Sequence, residues 1–248
     1  MSLFASSNAT ATPSGLVCER KLVGPGRLAP FALGALQSAL LPDPKHPEGT
    51  LHSIYFDSPA LDSFREKANG DNLKLKLRLR WYEPEAGEQM PSDGEIPCFL
   101  EMKARIGAAR RKARVEVRAP ATWLGQASLS DAALSRFLAR HAAALPFAVP
   151  HNWIPSICVS YRRRRFVCPQ TQARVSLDWD VCSMRANPVL FPSQGPMRLD
   201  CSLCEFKSPS GEAPPWLDVL FAIGYRLRSH SKYASLVELR RSGAPCPF

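Results

Sequence analysis

Residues 73–80 alternate four leucines with four cations, in the order Leu-Lys-Leu-Lys-Leu-Arg-Leu-Arg. Successive side chains leave a β-strand on opposite faces, so this alternation predicts a strand with one apolar face and one cationic face. Same-face side chains lie about 6–7 Å apart along a strand. Like charges at that spacing repel one another, and the pattern therefore favours an extended anionic partner, of which phosphate is the simplest.

Further segments show the same alternation of apolar and charged residues, at positions 17–23, 99–105, 111–117, 159–167, 174–178 and 203–207. For any single strand, a solvated polar face on an ordinary antiparallel sheet is the simpler explanation. Repeated cation-rich faces instead predict a closed antiparallel barrel with a polar interior. Helical spacing of apolar residues predicts helices at 28–41, 122–144, 216–224 and 232–241.

The chain is basic, with 32 Lys and Arg against 22 Asp and Glu and a net charge of +10. This balance favours an anionic partner: nucleic acid, polyphosphate, a nucleotide or acidic lipid. We do not expect nucleic acid to be the partner, because the basic strand faces lack the interleaved aromatic residues that stack on bases. No apolar stretch reaches the roughly 18 residues of a membrane span, so no transmembrane segment is predicted.

The N-terminus and the cysteines suggest where the chain works. Residues 1–14 are uncharged and rich in Ser, Ala and Thr, which predicts a disordered leader and not a signal peptide. The single Cys-x-x-Cys pair, Cys201 and Cys204, has no second pair at zinc-finger spacing. We therefore expect the cysteines to act as small apolar residues in a reducing, cytoplasmic environment.

Three glutamates, Glu19, Glu101 and Glu205, each stand two residues before a lysine and share its strand face. A carboxylate among phosphate-binding cations is unfavourable unless it holds a metal such as Mg²⁺ or Mn²⁺, which also binds phosphate oxygens. The alternative is that each glutamate forms a structural salt bridge with its own lysine. Glycine-rich phosphate loops are absent from the sequence, so phosphate binding must come from side chains.

Eight short motifs stand in the order found in VTC domains: Glu19-Arg20-Lys21, Tyr55-Phe56-Asp57, residues 76–82, Glu101-Met102-Lys103, Tyr161-Arg162-Arg163, residues 174–178, Glu205-Phe206-Lys207 and Ser231-Lys232-Tyr233. Over about residues 17–240 the chain resembles this family, the catalytic domains of the vacuolar transporter chaperone polyphosphate polymerase and its bacterial relatives. The family belongs to the triphosphate tunnel metalloenzyme (CYTH-like) superfamily. The resemblance implies an α+β fold in one domain at 15–242, with an eight-stranded antiparallel β-barrel, the triphosphate tunnel, and peripheral helices.

The resemblance also implies an activity: transfer of the γ-phosphate of ATP onto a growing inorganic polyphosphate chain, with Mn²⁺ (or Mg²⁺) as the metal and pyrophosphate or triphosphate as further ligands. Together with the strand faces, it implies catalytic roles for Arg78, Arg80, Lys103, Arg163, Arg174 and Lys232. Substrate-binding roles fall to Lys21, Lys76, Lys112, Arg114, Tyr161, Ser176, Lys207 and Ser231. The expected metal ligands are Glu205, Glu19 and Glu101.

One position separates the branches of the superfamily. Its triphosphate hydrolases and class IV cyclases carry Glu-x-Glu-x-Lys on the first strand, whereas this chain has Val17-x-Glu19-x-Lys21. The missing carboxylate favours the polymerase. Two alternatives remain open: a tunnel-type (tri)polyphosphatase or nucleoside triphosphatase, and a non-catalytic polyphosphate-binding module.

Overall fold

The computed structural model describes residues 18–69, 73–83, 94–107, 109–146, 148–192, 195–208 and 214–242. Within them an antiparallel sheet is accompanied by peripheral helices, which confirms that part of the predicted fold. The predicted leader at 1–14 and the informative Val17 lie outside the described residues.

The described residues form eleven strands: β1 Cys18–Pro25, β2 Leu41–Pro42, β3 Glu48–Asp57, β4 Leu73–Tyr82, β5 Glu95–Ile106, β6 Ala109–Pro120, β7 Ile154–Val167, β8 Arg174–Ala186, β9 Met197–Arg198, β10 Cys201–Ser208 and β11 Arg226–Leu227. The helices are α1 Ala29–Ala39, α2 Asp62–Asn69, α3 Ala121–Gln126, α4 Ala132–Ala142, α5 Trp216–Ala222 and α6 Lys232–Ser242. Among these described helices, none has the length and apolar character needed to cross a bilayer.

The described chain divides into two compact units. The first comprises the described parts of 53–157 and 185–192, and the second comprises the described parts of 14–52, 158–184 and 193–248. In the second unit the strand order is β11-β1-β10-β8-β7-β3, with β2 on β7 and β9 on β8. In the first unit the strand order is β7-β3-β4-β5-β6. Strands β3 and β7 appear in both orders because one end of each belongs to the first unit and the other end to the second.

The strand count corrects the expected eight-stranded barrel. Eight strands have eight or more residues, and the described sheet adds three two-residue strands, β2, β9 and β11. The strand order ends at β6 in the first unit and at β11 in the second. This pairing does not confirm closure of the sheet, so the barrel stays a prediction.

The core of the second unit lies on the apolar faces of its strands. Leu22 of β1, Leu177 of β8 and Cys204 of β10 are fully buried there, against Leu36 of α1 and Leu220 of α5. Burial of apolar area at about 25 cal/mol per Å² supplies the main stabilisation of such a layer. Because strand side chains alternate, the same packing turns the charged residues of these strands to the other face.

The alternating strand of the first unit folds as its sequence predicts. Leu77 and Leu79 are fully buried, whereas Lys76 and Arg78 of the same strand β4 remain partly exposed. Arg80 departs from the pattern because it is buried too. The predicted single helix at 122–144 is in fact two, α3 and α4. The extended backbone at residue 127 ends α3. The Asp131 side chain then accepts a hydrogen bond from the Ala133 amide and caps the start of α4.

Asp57, at the end of β3, is fully buried and serves the backbone of the next segment. Its carboxylate accepts hydrogen bonds from the amides of Ser58, Ser63 and Phe64, at 2.8, 2.8 and 3.1 Å. Ser63 and Phe64 lie in the first turn of α2, where amides have no partner within the helix, and Ser58 lies between β3 and α2. Asp57, part of a motif that carried the family resemblance, is therefore a structural residue in the fold.

We expect Asp57→Ala to lower the free energy of unfolding by about 2–4 kcal/mol, because three buried amides lose a charged acceptor. Urea denaturation followed by circular dichroism measures this loss. Asp131→Ala removes an exposed cap with a single hydrogen bond and should cost about 1 kcal/mol. Equal losses in the two variants would contradict the structural role of Asp57.

Candidate functional site

The register of β4, β5 and β6 arranges cations in rows across the first unit. Lys76 pairs with Lys103, and Lys103 with Lys112 on β6. The neighbouring row contains Arg78, Glu101 and Arg114. Directly opposed side chains on one sheet face lie about 4.5–5.5 Å apart at Cβ. The predicted cationic face therefore extends over three strands, with one carboxylate in its midst.

Glu101 is the centre of this arrangement and is only 1% exposed. Its Oε2 accepts from Nε and Nη2 of Arg78, at 2.9 and 2.6 Å, and its Oε1 accepts from Nη2 of Arg80 at 2.6 Å. The Lys112 ammonium lies 3.6 Å and Nε of Arg114 lies 3.9 Å from Oε1. Four cations around one carboxylate leave a strong excess of positive charge, which suits a multiply charged anion.

The cations determine the ionisation of Glu101. Burial of the carboxyl by itself raises its pKa, but Arg78 and Arg80 outweigh burial and lower the pKa to about 2. Burial also lowers the pKa of Lys112, and the two arginines add to that effect, while Glu101 opposes it. The Glu101 carboxylate is thus held charged, and the guanidinium groups are oriented by it.

A second cluster forms in the second unit around Asp178 of β8, also 1% exposed. Arg163 of β7 donates from Nε to Oδ1 at 2.5 Å and from Nη2 to Oδ2 at 2.7 Å. Lys232, the first residue of α6, donates from Nζ to Oδ2 at 2.5 Å. Burial raises the pKa of Asp178, but Arg163 and Lys232 outweigh burial and hold the pKa well below its usual range.

The Tyr161 ring lies beside both cations of this cluster. Lys232 Nζ is 4.4 Å and the Arg163 guanidinium carbon 5.3 Å from the ring centroid. Burial lowers the pKa of Lys232, but the nearby Asp178 carboxylate outweighs it and raises the pKa. The ring and the carboxylate therefore hold two charged side chains from distant parts of the sequence in one place.

Between β1 and β10, two glutamates and two lysines form a quartet. Lys21 Nζ lies 3.4 Å from Glu19 and 3.6 Å from Glu205, and Lys207 Nζ lies 3.8 Å from Glu19 and 3.3 Å from Glu205. Burial raises the pKa of Glu205, but Lys21 and Lys207 outweigh it, and Arg163 adds to them, so that the pKa falls to about 2. Glu19 and Glu205 each contact the lysine two residues on, as the salt-bridge alternative expected. The ionised carboxylate of Glu205 is compatible with that role and with a metal ligand.

The three expected metal ligands differ in how well a divalent cation fits them. Glu101 does not fit, because its oxygens already accept from two arginines and a metal would add charge to four cations. Glu19 and Glu205 fit better, as two partly exposed carboxylates that share the ammonium groups of Lys21 and Lys207. Within the described residues, no three His, Cys, Asp or Glu side chains form a group that could hold a metal. Mg²⁺ and Mn²⁺ need only one or two carboxylates where phosphate oxygens complete the coordination.

The structure distributes the predicted site residues between the two units. The first unit brings together Arg78, Arg80, Lys112 and Arg114 around Glu101, with Lys76 and Lys103 in the adjacent row. The second unit contains the Arg163, Lys232 and Tyr161 cluster and the quartet of Glu19, Lys21, Glu205 and Lys207. There Arg174 pairs across strands with Lys207, and Ser176 with Glu205. The Ser231 hydroxyl accepts from the Ala234 amide at 3.4 Å, at the start of α6.

Two residues of these clusters were not among the predicted site residues. Tyr55 accepts a hydrogen bond from Nη1 of Arg78 at 3.2 Å, and Asp178 holds the second cluster. Both lie in motifs that carried the resemblance. For Asp178 the sequence did contain a signal, since it shares a strand face with Arg174 and Ser176, where an acidic residue needs a cationic partner.

The lowered pKa of Glu101 predicts a loss of stability in acid. A fall from 4.5 to about 2 corresponds to about 3 kcal/mol that is present above pH 4.5 and is lost as the pH falls toward 2. We expect Glu101→Gln to be less stable than the wild type by about that amount at pH 7, with the difference shrinking over this pH range. Urea denaturation at a series of pH values measures it.

The control for this prediction is Glu48→Gln, which removes a carboxylate from an ion pair with Arg164 in which Glu48 is 54% exposed. Exposed pairs contribute about 0–1 kcal/mol, so this variant should stay close to the wild type at every pH. A Glu101→Gln protein that is as stable as wild type at pH 7 would refute the central role of Glu101.

Comparison with known proteins agrees with the resemblance noted in the sequence. Among solved structures, the Hippeastrum protein HpAC1, named for adenylyl cyclase and described as having a dominant triphosphatase activity, shares 16% identity and a TM-score of 0.49, over 94% of this chain and 98% of that one. A Bacillus halodurans protein assigned to the adenylate cyclases shares 13% identity and a TM-score of 0.46, over 91% and 96%. These similarities are too low to transfer an activity.

No curated protein sequence matches the chain. The sequence model of the VTC domain does match, over residues 17–239. That range covers both charged clusters and the quartet, and it includes nearly every described residue of the two units. The chain belongs to the VTC domain family.

Proposed function

We propose that this protein is a metal-dependent phosphotransferase that moves the γ-phosphate of ATP onto a growing inorganic polyphosphate chain. The observation that carries the proposal is the cationic face of β4, β5 and β6, where Arg78, Arg80, Lys112 and Arg114 surround one buried carboxylate. A face with such an excess of positive charge suits a linear polyphosphate better than a single phosphate. Membership of the VTC domain family supports the same substrate class.

Phosphoryl transfer passes through a loose transition state, so catalysis consists largely of positioning and charge neutralisation. Glu101 orients the guanidinium groups of Arg78 and Arg80, and these groups would neutralise charge on phosphate oxygens. Arg163 and Lys232 are held in the same way by Asp178. Lys103 and Arg174, both exposed, add charge beside these groups and would bind the substrate directly.

Glu205, with Glu19 beside it, would hold the divalent cation together with phosphate oxygens. Mn²⁺ or Mg²⁺ held there would supply charge neutralisation for the transferring phosphate. Lys21 and Lys207, which contact the same carboxylates, would add binding for the phosphate chain. Glu101 would act in this scheme by orienting arginines and not as a metal ligand.

Polymer formation is proposed over hydrolysis because of the first strand. A hydrolase must activate a water against the terminal phosphate, and the superfamily's hydrolases use paired glutamates for the metals that do this. This chain has Val17 in place of the first of those glutamates. The terminal phosphate would then meet another phosphate chain as acceptor more readily than an activated water.

Incubation of the purified protein with ATP and Mn²⁺ tests the proposal. We expect ADP and acid-labile polymer as the main products, with orthophosphate as a minor one, measured in the same reaction by chromatography and gel electrophoresis. Dominant orthophosphate or pyrophosphate without polymer would replace the proposal with a triphosphatase. Binding of polyphosphate without any consumption of ATP would leave a non-catalytic binding module.

A pair of arginine variants serves as the control for this reaction. Arg174→Ala removes an exposed cation from the charged face of β8, and we expect it to lower kcat/KM by about 10–100-fold, the loss of one or two charge-assisted hydrogen bonds. Arg162→Ala removes a cation that lies 5.2 Å from the Trp179 ring centroid and should stay within about twofold of wild type.

Glu205→Gln tests the metal site separately from turnover. Because the amide cannot bind Mn²⁺ as the carboxylate does, we expect the affinity for Mn²⁺ in the presence of triphosphate to fall at least tenfold, measured by electron paramagnetic resonance of free Mn²⁺. Glu238→Gln, an exposed change on α6, should leave the affinity as it is. Wild-type Mn²⁺ affinity in Glu205→Gln would remove Glu205 from the metal site.

A further inference from the structure

Asp178 is buried between two cations that belong to elements far apart in the sequence. Arg163 comes from β7 and Lys232 from the start of α6, and both donate to the same carboxylate at 2.5–2.7 Å. Arg163 and Lys232 are themselves mostly buried, at 17% and 15% side-chain exposure. Two long side chains are thereby fixed in one arrangement, although each would have many rotamers if free.

The contacts with Asp178 use only part of the donor capacity of the two cations. Arg163 gives Nε and Nη2 to the carboxylate, and a guanidinium has five N–H donors in total. Lys232 gives one of its three ammonium hydrogens. The remaining donors of both groups have their directions set by the carboxylate. Such an arrangement can receive oxygens of one anion at defined positions, which is what phosphate-chain recognition requires.

We propose that Asp178 is a positioning residue, which fixes Arg163 and Lys232 in the geometry that receives adjacent phosphates of a linear polyphosphate. The inference rests on the proposed function, since it takes the same anion as substrate. Asp178 itself touches no substrate in this scheme. Its negative charge opposes the approach of an anion, so it would weaken binding if charge alone mattered. Asp178 therefore contributes selectivity for a linear polyphosphate, through the geometry in which it holds Arg163 and Lys232.

Asp178→Asn separates geometry from charge. Oδ1 accepts from Arg163, and Oδ2 accepts from both Arg163 and Lys232. The asparagine amide has only one oxygen. In either orientation its NH₂ group therefore faces at least one N–H donor whose hydrogen bond the carboxylate accepted. At least one cation must then move. The same change removes a negative charge, which by itself strengthens the binding of a highly charged anion more than that of a weakly charged one.

The measurement is the preference for triphosphate over sulfate, defined as the dissociation constant of sulfate divided by that of triphosphate. Both constants are measured by isothermal titration calorimetry without metal. We expect Asp178→Asn to lower this ratio at least threefold, opposite to the purely electrostatic effect. The control is Asp180→Asn, the same change in the same strand in an exposed pair with Arg198, for which we expect a wild-type ratio. The proposal is overturned if the ratio in Asp178→Asn rises, or if it falls by less than threefold. An equal fall in the control also overturns it.

Asp178→Glu is a second variant, to be used if the Asp178→Asn protein does not fold. It keeps the negative charge beside both cations and displaces the carboxylate by one methylene, and we again expect at least a threefold fall in the ratio. With ATP as substrate, both variants should lower kcat more than they raise KM, whereas a residue needed only for folding would leave kcat per folded molecule unchanged. If the wild type does not turn over ATP, the proposed function fails, and the binding ratio alone decides the role of Asp178.

Discussion

A buried carboxylate lies at the centre of each of two cation clusters, Glu101 in the first unit and Asp178 in the second. Like charges packed at strand spacing repel one another, and their desolvation adds a cost of several kcal/mol per ion. Glu101 offsets that cost for Arg78 and Arg80 in the first unit, and Asp178 does the same for Arg163 and Lys232 in the second. Each cluster has more cations than carboxylates and so keeps a net positive charge.

The charged faces of β4, β8 and β10 lie opposite strand faces that are apolar and buried. Leu77 and Leu79 in β4, and Leu177 and Cys204 in β8 and β10, are fully buried. Strand alternation couples the two faces, so a shift of register by one residue would bury the cations and expose the leucines. The apolar layer thus stabilises the fold and also fixes which residues lie on the charged faces.

The carboxylates of the charged faces do not all have one purpose. A divalent cation fits Glu205 and Glu19 better than Glu101, because they are partly exposed and their ion pairs within the quartet are with lysine ammonium groups. It does not suit Glu101, which is enclosed by cations that cannot lose their charge. Burial and partner type therefore separate a candidate metal ligand from residues that orient arginines, although all three glutamates precede a lysine by two residues in the sequence.

The sequence by itself determined the strands, their apolar and charged faces, and the family, because alternation and motif order are local properties of the chain. It also placed Arg78, Arg80, Lys103, Arg163 and Arg174 on charged faces. Only the tertiary structure decided which charges meet. Glu101 contacts arginines of the neighbouring strand β4, and Asp178 joins β7 to α6. These pairings depend on strand register and on contacts between residues far apart in sequence, which a local pattern does not contain.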